Sequence, residues 1–308
     1  MAEYLIQDST LKGIADAIRN RTGKSGTIAV KNIPSMIESM ESLVDYKNEV
    51  ASIVGNNNFT AFDKIRSVSF TQAETIDQYA FWGCENLTTA NFPLATTIGR
   101  GAFSLCSKLS SIEIPLVTSI KTIAFRECGL QNLFLPVCTS IGQSAFMECR
   151  NLLSFDAPLL EYAGISAEFA SCSSLETVNL PKLSSITSSM FSGCTALKNV
   201  CFSSVIAINS YAFANCTSLE HIELPSLRTF IDKSAFLNCS SLVAVVISNN
   251  NDSIKLVETD VFKGTPIENG TGYIYIQDSL VDYYKTETTW SPYASQIKPL
   301  SEYTPVTT

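Results

Sequence analysis

Cysteines are the residues of this chain best placed to do chemistry, and eight of the ten recur at a near-constant interval: Cys84, Cys106, Cys128, Cys149, Cys172, Cys194, Cys216 and Cys239. An even, regular set of thiols could form disulfides or hold a metal. Zinc sites draw on close C-x-x-C pairs, and the sequence contains none. A spacing of about 22 residues instead makes each cysteine a small buried group lining a turn, its weak S–H donor suited to backbone carbonyls. Stacked neighbours would still come within the Cα separation that a disulfide needs. Cys138 and Cys201 lie off this series, and Cys201, at an outward strand position, is the thiol readiest to react.

The other reactive groups offer less. His221 is the sole histidine, which removes Ser-His-Asp, Cys-His and multi-histidine metal sites from a single chain. Gly23–Ser25 reads GKS, but a phosphate loop needs glycine where Ile18 stands and a strand before it. Glu220 and Glu223 have the residue types of a glycosidase pair, yet both face outward from an open strand with no implied cleft. The expectation is a non-enzymatic chain with no catalytic residue, no metal and no cofactor.

The elements that carry these residues are repeats. Aligned on Phe81, Phe103, Phe125, Phe146, Phe169, Phe191, Phe213 and Phe236, each copy places cysteine three residues later and then a leucine: Leu87, Leu109, Leu130, Leu152, Leu175, Leu197, Leu219 and Leu242. The copy ending in Leu130 is one residue short. After each leucine the chain alternates with period two, as in LSSIEIP, which is a short strand. Pro93, Pro115, Pro136, Pro158, Pro181 and Pro225 stop it, because a ring without N–H belongs where a ladder ends. The pattern Ile-x-x-x-Ala-Phe before most of the Phe positions predicts one turn of tight helix or an irregular arc. A single unit cannot form a core, so the units must stack, with strands about 4.8 Å apart.

The AF-x-x-C-x-x-L-x-x-I-x-I-P unit resembles the BspA-type leucine-rich repeat. The expected fold is therefore an α+β repeat solenoid: eight clear copies of about 22 residues with degenerate ends, spanning 65–278, and a short N-terminal helical module. The resemblance implies a bacterial surface or adhesion-type binding protein. Composition agrees with a repeat array: 45% of the 308 residues are apolar and only 16% charged. The net charge of −8 and pI near 4.8 argue against nucleic acid or an anionic membrane as partner. No apolar run is long enough to span a bilayer, and the start of the chain does not read as a secretory signal.

The informative surface is the outward side of the strand ladder. Its candidate binding residues are Phe134, Leu153, Asp156, Glu176, Asn179, Lys198, His221, Glu223, Val243 and Val246, with Phe134 and Leu153 forming one apolar spot and Val243, Ala244 and Val246 an apolar row. Tyr283, Tyr284, Trp290 and Tyr293 would either cover that row or form a partner interface.

The ends differ from the repeat. Leu11, Ile14 and Ile18, then Ile33, Met36, Ile37 and Met40, have amphipathic helical spacing. They predict a two-helix docking or oligomerisation module over 1–42, followed by a linker over 43–64. Tyr284 and Trp290 are further docking candidates in a capping helix and tail over 279–308. The segments LIQDSTLKGIADAIRNRTGKSGTIAVKNIPSMI and IQDSLVDYYKTETTWSPYASQIKPLSEY resemble flanks of phage and prophage tail-region proteins of gut Firmicutes. That implies a virion-associated protein. The combined expectation is a tail-associated or surface-displayed protein that recognises a protein or glycan, and forms a homo-oligomer through its N-terminal helices. The alternative is a secreted adhesin for host ligands.

Overall fold

The computed structural model describes residues 44–48, 53–55 and 57–305. The candidate docking residues Leu11, Ile14, Ile18, Ile33, Met36, Ile37 and Met40 lie outside the described residues. The rest is a stack of parallel coils. Each coil makes one three-residue strand after its leucine, such as Thr89–Asn91, Ser111–Glu113, Asn132–Phe134, Ser154–Asp156 and His221–Glu223, with the middle side chain inward. After the proline corner comes a second strand of two residues, such as Thr97–Ile98, Ser119–Ile120 and Ser185–Ile186. These second strands form their own parallel ladder. Two residues are too few to show alternation, which is why the sequence pattern reveals only the first ladder.

The arc around each Phe is not a helical turn. Residues two before and two after the ring have left-handed φ, for example Tyr79 and Gly83 about Phe81, Ile123 and Glu127 about Phe125, and Ser234 and Asn238 about Phe236. This alternation aims every second amide along the stack. Tyr79, Phe81 and Gly83 donate to the carbonyls of Arg100, Ala102 and Ser104 in the next coil, while Trp82 and Cys84 close local turns onto Tyr79 and Phe81. A left-handed L-residue costs roughly 1–2 kcal/mol. The inter-coil bonds offset that cost.

Two columns fill the core. Phe59, Phe81, Phe103, Phe125, Phe146, Phe169, Phe191, Phe213, Phe236 and Phe262 form an offset stack with neighbouring centroids 5.0–5.5 Å apart and rings within 15° of parallel. Beside them, each repeat cysteine donates its S–H to the carbonyl of the preceding coil's Phe, from Cys84 to Phe59 at 2.9 Å through Cys239 to Phe213 at 3.0 Å. The thiols are structural hydrogen-bond donors, as their buried turn position predicts, and all ten cysteines are free.

The solenoid extends past both expected limits of 65 and 278. Val44–Asn48 pairs with Ile65–Phe70, inside the segment read as linker, and Ile297–Pro299 pairs with Tyr273–Ile276. Within the described residues the first ladder falls into three sheets, which break after Ser111–Glu113 and after Thr177–Asn179. The first break lies at the coil that is one residue short. There Gly129 lies so close to the coil before it that a Cβ would sit 2.4 Å from the Ser107 carbonyl oxygen. The second ladder is reduced to isolated bridges, Ser140 to Tyr162 and Ser166 to Ser188, through the coil at 161–166.

A C-terminal cap closes the stack. Its helix, Val281–Thr286, is the sole α-helix among the described residues. Tyr284 and Trp290 are fully buried and meet edge to face at 5.1 Å. The indole N–H donates to the Ile254 carbonyl at 2.8 Å and the Tyr284 hydroxyl to that of Asn251 at 2.5 Å. Tyr293 meets Phe262 edge-on at 5.1 Å and ends the aromatic column. Tyr284 and Trp290 are thus not docking residues. They plug the end of their own core, where an aromatic body is buried and its polar tip is satisfied by backbone.

Candidate functional surface

The first-strand ladder presents its outward side chains in register. One row runs Phe134, Asp156, Asn179, and beyond the break Cys201, Glu223, Val246, Tyr275. In the first part, Phe134 is 60% exposed, and Asn179 donates its amide to Asp156 Oδ1 at 2.8 Å. Glu176 and Lys198 are exposed, and Asp156, His221 and Glu223 are half-buried. Phe134 and Leu153 do not form one spot. Leu153, 42% exposed, precedes the strand whose Asp156 pairs with Phe134, so three residues of strand, roughly 10 Å, separate the two.

The apolar row also divides. Val243 is 38% exposed, but Ala244 and Val246 are buried, Val246 to 4%. The C-terminal segment covers Val246, though not with the aromatics expected from sequence. Tyr303 lies against Tyr275, ring centroids 5.0 Å apart, and its hydroxyl donates to Glu223 Oε1 at 3.4 Å. Val246 lies between Glu223 and Tyr275 in the register. Alternation says that Val246 points away from the core; it cannot say that a segment 57 residues later folds over it.

The thiols of Cys138 and Cys149 are held protonated. Burial drives the Cys149 thiol up to about 12 and Cys138 to about 11. Cys201 is exposed, yet partial desolvation and the neighbouring Glu223 carboxylate still raise it, which weakens the expectation of a reactive thiol. Among the described residues no group of three or more His, Cys, Asp or Glu side chains is arranged for a metal. Among them, no helix is long and apolar enough to cross a membrane.

One buried acid escaped the sequence reading. Glu168 stands where most coils have alanine before the Phe, as at Ala80, Ala102 and Ala145. It is buried and accepts a hydrogen bond from Thr187 Oγ1, while its Oε1 has no protein partner. Burial raises its carboxyl above the ordinary range. The signal was available as a charged residue in a column that is otherwise uncharged and mostly alanine.

The repeat geometry and the sequence agree on a class. The model of the BspA type leucine rich repeat region matches residues 37–158 and 165–280, in six copies, and the chain belongs to that family. The unmatched residues between the two stretches fall at the irregular coil. Solved structures similar to this chain include a Treponema pallidum leucine rich repeat protein, 26% identical, covering 50% of this chain and 78% of that one, with a TM-score of 0.45. A leucine rich cell surface protein from Faecalibacterium prausnitzii is 21% identical over 72% of this chain and 80% of its own, TM-score 0.32. The pneumococcal vaccine antigen PcpA is 15% identical over 84% and 88%, TM-score 0.40. No curated protein matches the chain.

Proposed function

We propose that this chain is a non-enzymatic recognition protein, displayed in the tail region of a phage, that uses the outward face of its first-strand ladder to bind a protein or glycan. The observation that carries the reading is Phe134. A large apolar side chain that is 60% exposed, beside Asp156 and Asn179 on a rigid and otherwise polar ladder, has no folding role to explain it and suits a contact. The flanking segments support the placement, since both resemble parts of tail-region proteins. The spaced apolar residues Leu11, Ile14, Ile18, Ile33, Met36, Ile37 and Met40 would dock the chain or join copies of it.

Immunogold electron microscopy tests the placement. In cultures induced for phage release, label on tails is expected. Label confined to the envelope of uninduced cells would replace this reading with the secreted adhesin. Deleting residues 1–42 should lower the mass measured by light scattering or abolish incorporation into particles. An unchanged mass together with normal incorporation would remove the docking role.

A further inference from the structure

The outward row is open at Cys201 and closed at Val246, and what closes it is the chain's own end. After the turn Leu300–Glu302, Tyr303 leaves in an extended conformation, φ −75° and ψ 128°. Its ring rests on Tyr275 and its hydroxyl reaches Glu223. The phenol therefore spans two coils, with the aliphatic Val246 beneath it, an aromatic ring on one side and a carboxylate acceptor at the far end. Those are the three features that a tyrosine side chain needs for burial: an apolar floor, a ring contact and a partner for its hydroxyl.

The segment is anchored upstream of Tyr303 at three points. Ile297 is buried in the last strand, Lys298 sits 4.0 Å over the Tyr273 ring, and the Ser301 amide donates to Asp278 Oδ1 at 3.0 Å. Tyr303 can thus leave without undoing the cap. Its bond to Glu223, at 3.4 Å, is longer than an ordinary O–H···O hydrogen bond and so is weak.

We infer that Val246, Tyr275 and Glu223 form a subsite for a tyrosine side chain on an extended partner polypeptide, and that Tyr303 is its built-in occupant. The inference rests on the reading of the ladder as a binding face and adds the partner chemistry. Beyond Glu223 the row continues through Cys201, Asn179 and Asp156, a polar track on which an extended chain would lie. Displacement of Tyr303 would couple partner binding to release of the tail.

The test uses a fluorescent peptide of residues 301–308 and two proteins besides the full chain: one ending at Glu302, and full-length Tyr303→Ala, whose cap is intact. Anisotropy should show the peptide binding both variants at least tenfold more tightly than the full chain. Replacing the peptide's tyrosine by alanine should cost at least tenfold, and Glu223→Gln in the Tyr303→Ala background several-fold. Equal affinity for the full chain and the Tyr303→Ala variant, indifference to the peptide's tyrosine, or no binding to either variant would each overturn the subsite. The probe comes from this chain, so failure here leaves the Phe134 reading standing. Failure of a Phe134 substitution to affect the natural partner would leave this subsite standing.

Discussion

Along one outward row, the strand Asn132–Phe134 stands open while Ala244–Ile247 is buried throughout. Both stretches carry apolar residues at outward positions, Phe134 in one and Val246 in the other, and both sit on the same backbone geometry. The difference lies in what the ladder does next. The C-terminal sheet runs on without interruption through Tyr273–Ile276 to Ile297–Pro299, and the returning chain brings Tyr303 over Val246. The middle sheet is isolated by a break on either side and nothing in the described chain folds over Phe134. An outward apolar residue is therefore a binding candidate only where no later segment can reach it.

The comparison breaks most completely if the cap is removed. Trp290→Ala deletes a fully buried indole together with its bond to the Ile254 carbonyl. It should cost about 3–5 kcal/mol in urea unfolding. Hydrogen exchange should quicken at Ala244–Ile247 and stay unchanged at Ser154–Asp156. A loss below about 1 kcal/mol, or equal quickening in both strands, would show that the cap does not distinguish the two regions.

Glu287 makes a smaller version of the same break. Partial desolvation opposes its ionisation, but Lys255 at 2.6 Å and the hydroxyl and amide of Thr289 outweigh it and hold the carboxyl at about 2. Against an unfolded value of about 4.3, the carboxylate stabilises the fold at neutral pH. That contribution is lost as pH falls through the range from about 4 to about 2. Glu287→Gln should lose about 1–3 kcal/mol at pH 7, and its deficit relative to the parent should shrink across that acid window. A deficit that does not change with pH would assign Glu287 a packing role instead.

Glu168 tests the middle of the stack, and its sign is opposite. Burial raises its folded carboxyl above the unfolded value, so the charged form opposes folding. The penalty is absent below the unfolded value, grows as pH rises toward the folded one and is constant above it. Glu168→Gln should raise the melting temperature at pH 7, with the gain shrinking as pH falls from the folded value toward about 4 and gone below it. A lowered melting temperature at pH 7 would mean that the carboxylate holds the irregular coil in place.

The repeat was legible because its signals are local and periodic: Phe, Cys and Leu at fixed offsets, alternation after Leu109 or Leu219, and proline at the corner. The structural use of the thiols followed from the same spacing. The second ladder was not legible, since Thr97–Ile98 is too short to alternate. Nor was the left-handed arc, where residues as unlike as Tyr79, Ile123 and Ser144 share one backbone conformation. The fates of Val246 and Trp290 depend on contacts with chain tens of residues away, for which a one-dimensional pattern holds no record. For the outward face, sequence gave direction; exposure required the fold.

Phe134 is where the expected stability effect is smallest and the functional one largest. Its ring is 60% exposed, so Phe134→Ser should change unfolding free energy by less than about 0.5 kcal/mol. Val246→Ser, at the equivalent position of a covered strand, places a hydroxyl where 4% of the residue is accessible and should cost about 1–3 kcal/mol. If Phe134 is an anchor of the recognition face, the serine variant should lose at least about tenfold in affinity for the natural partner, as truncation of a central aromatic does. The pair of measurements separates two meanings of an outward apolar residue. A Phe134 variant that destabilises the chain as much as Val246→Ser would show that Phe134, too, is covered. One that leaves both stability and binding unchanged would move the recognition surface elsewhere on the solenoid.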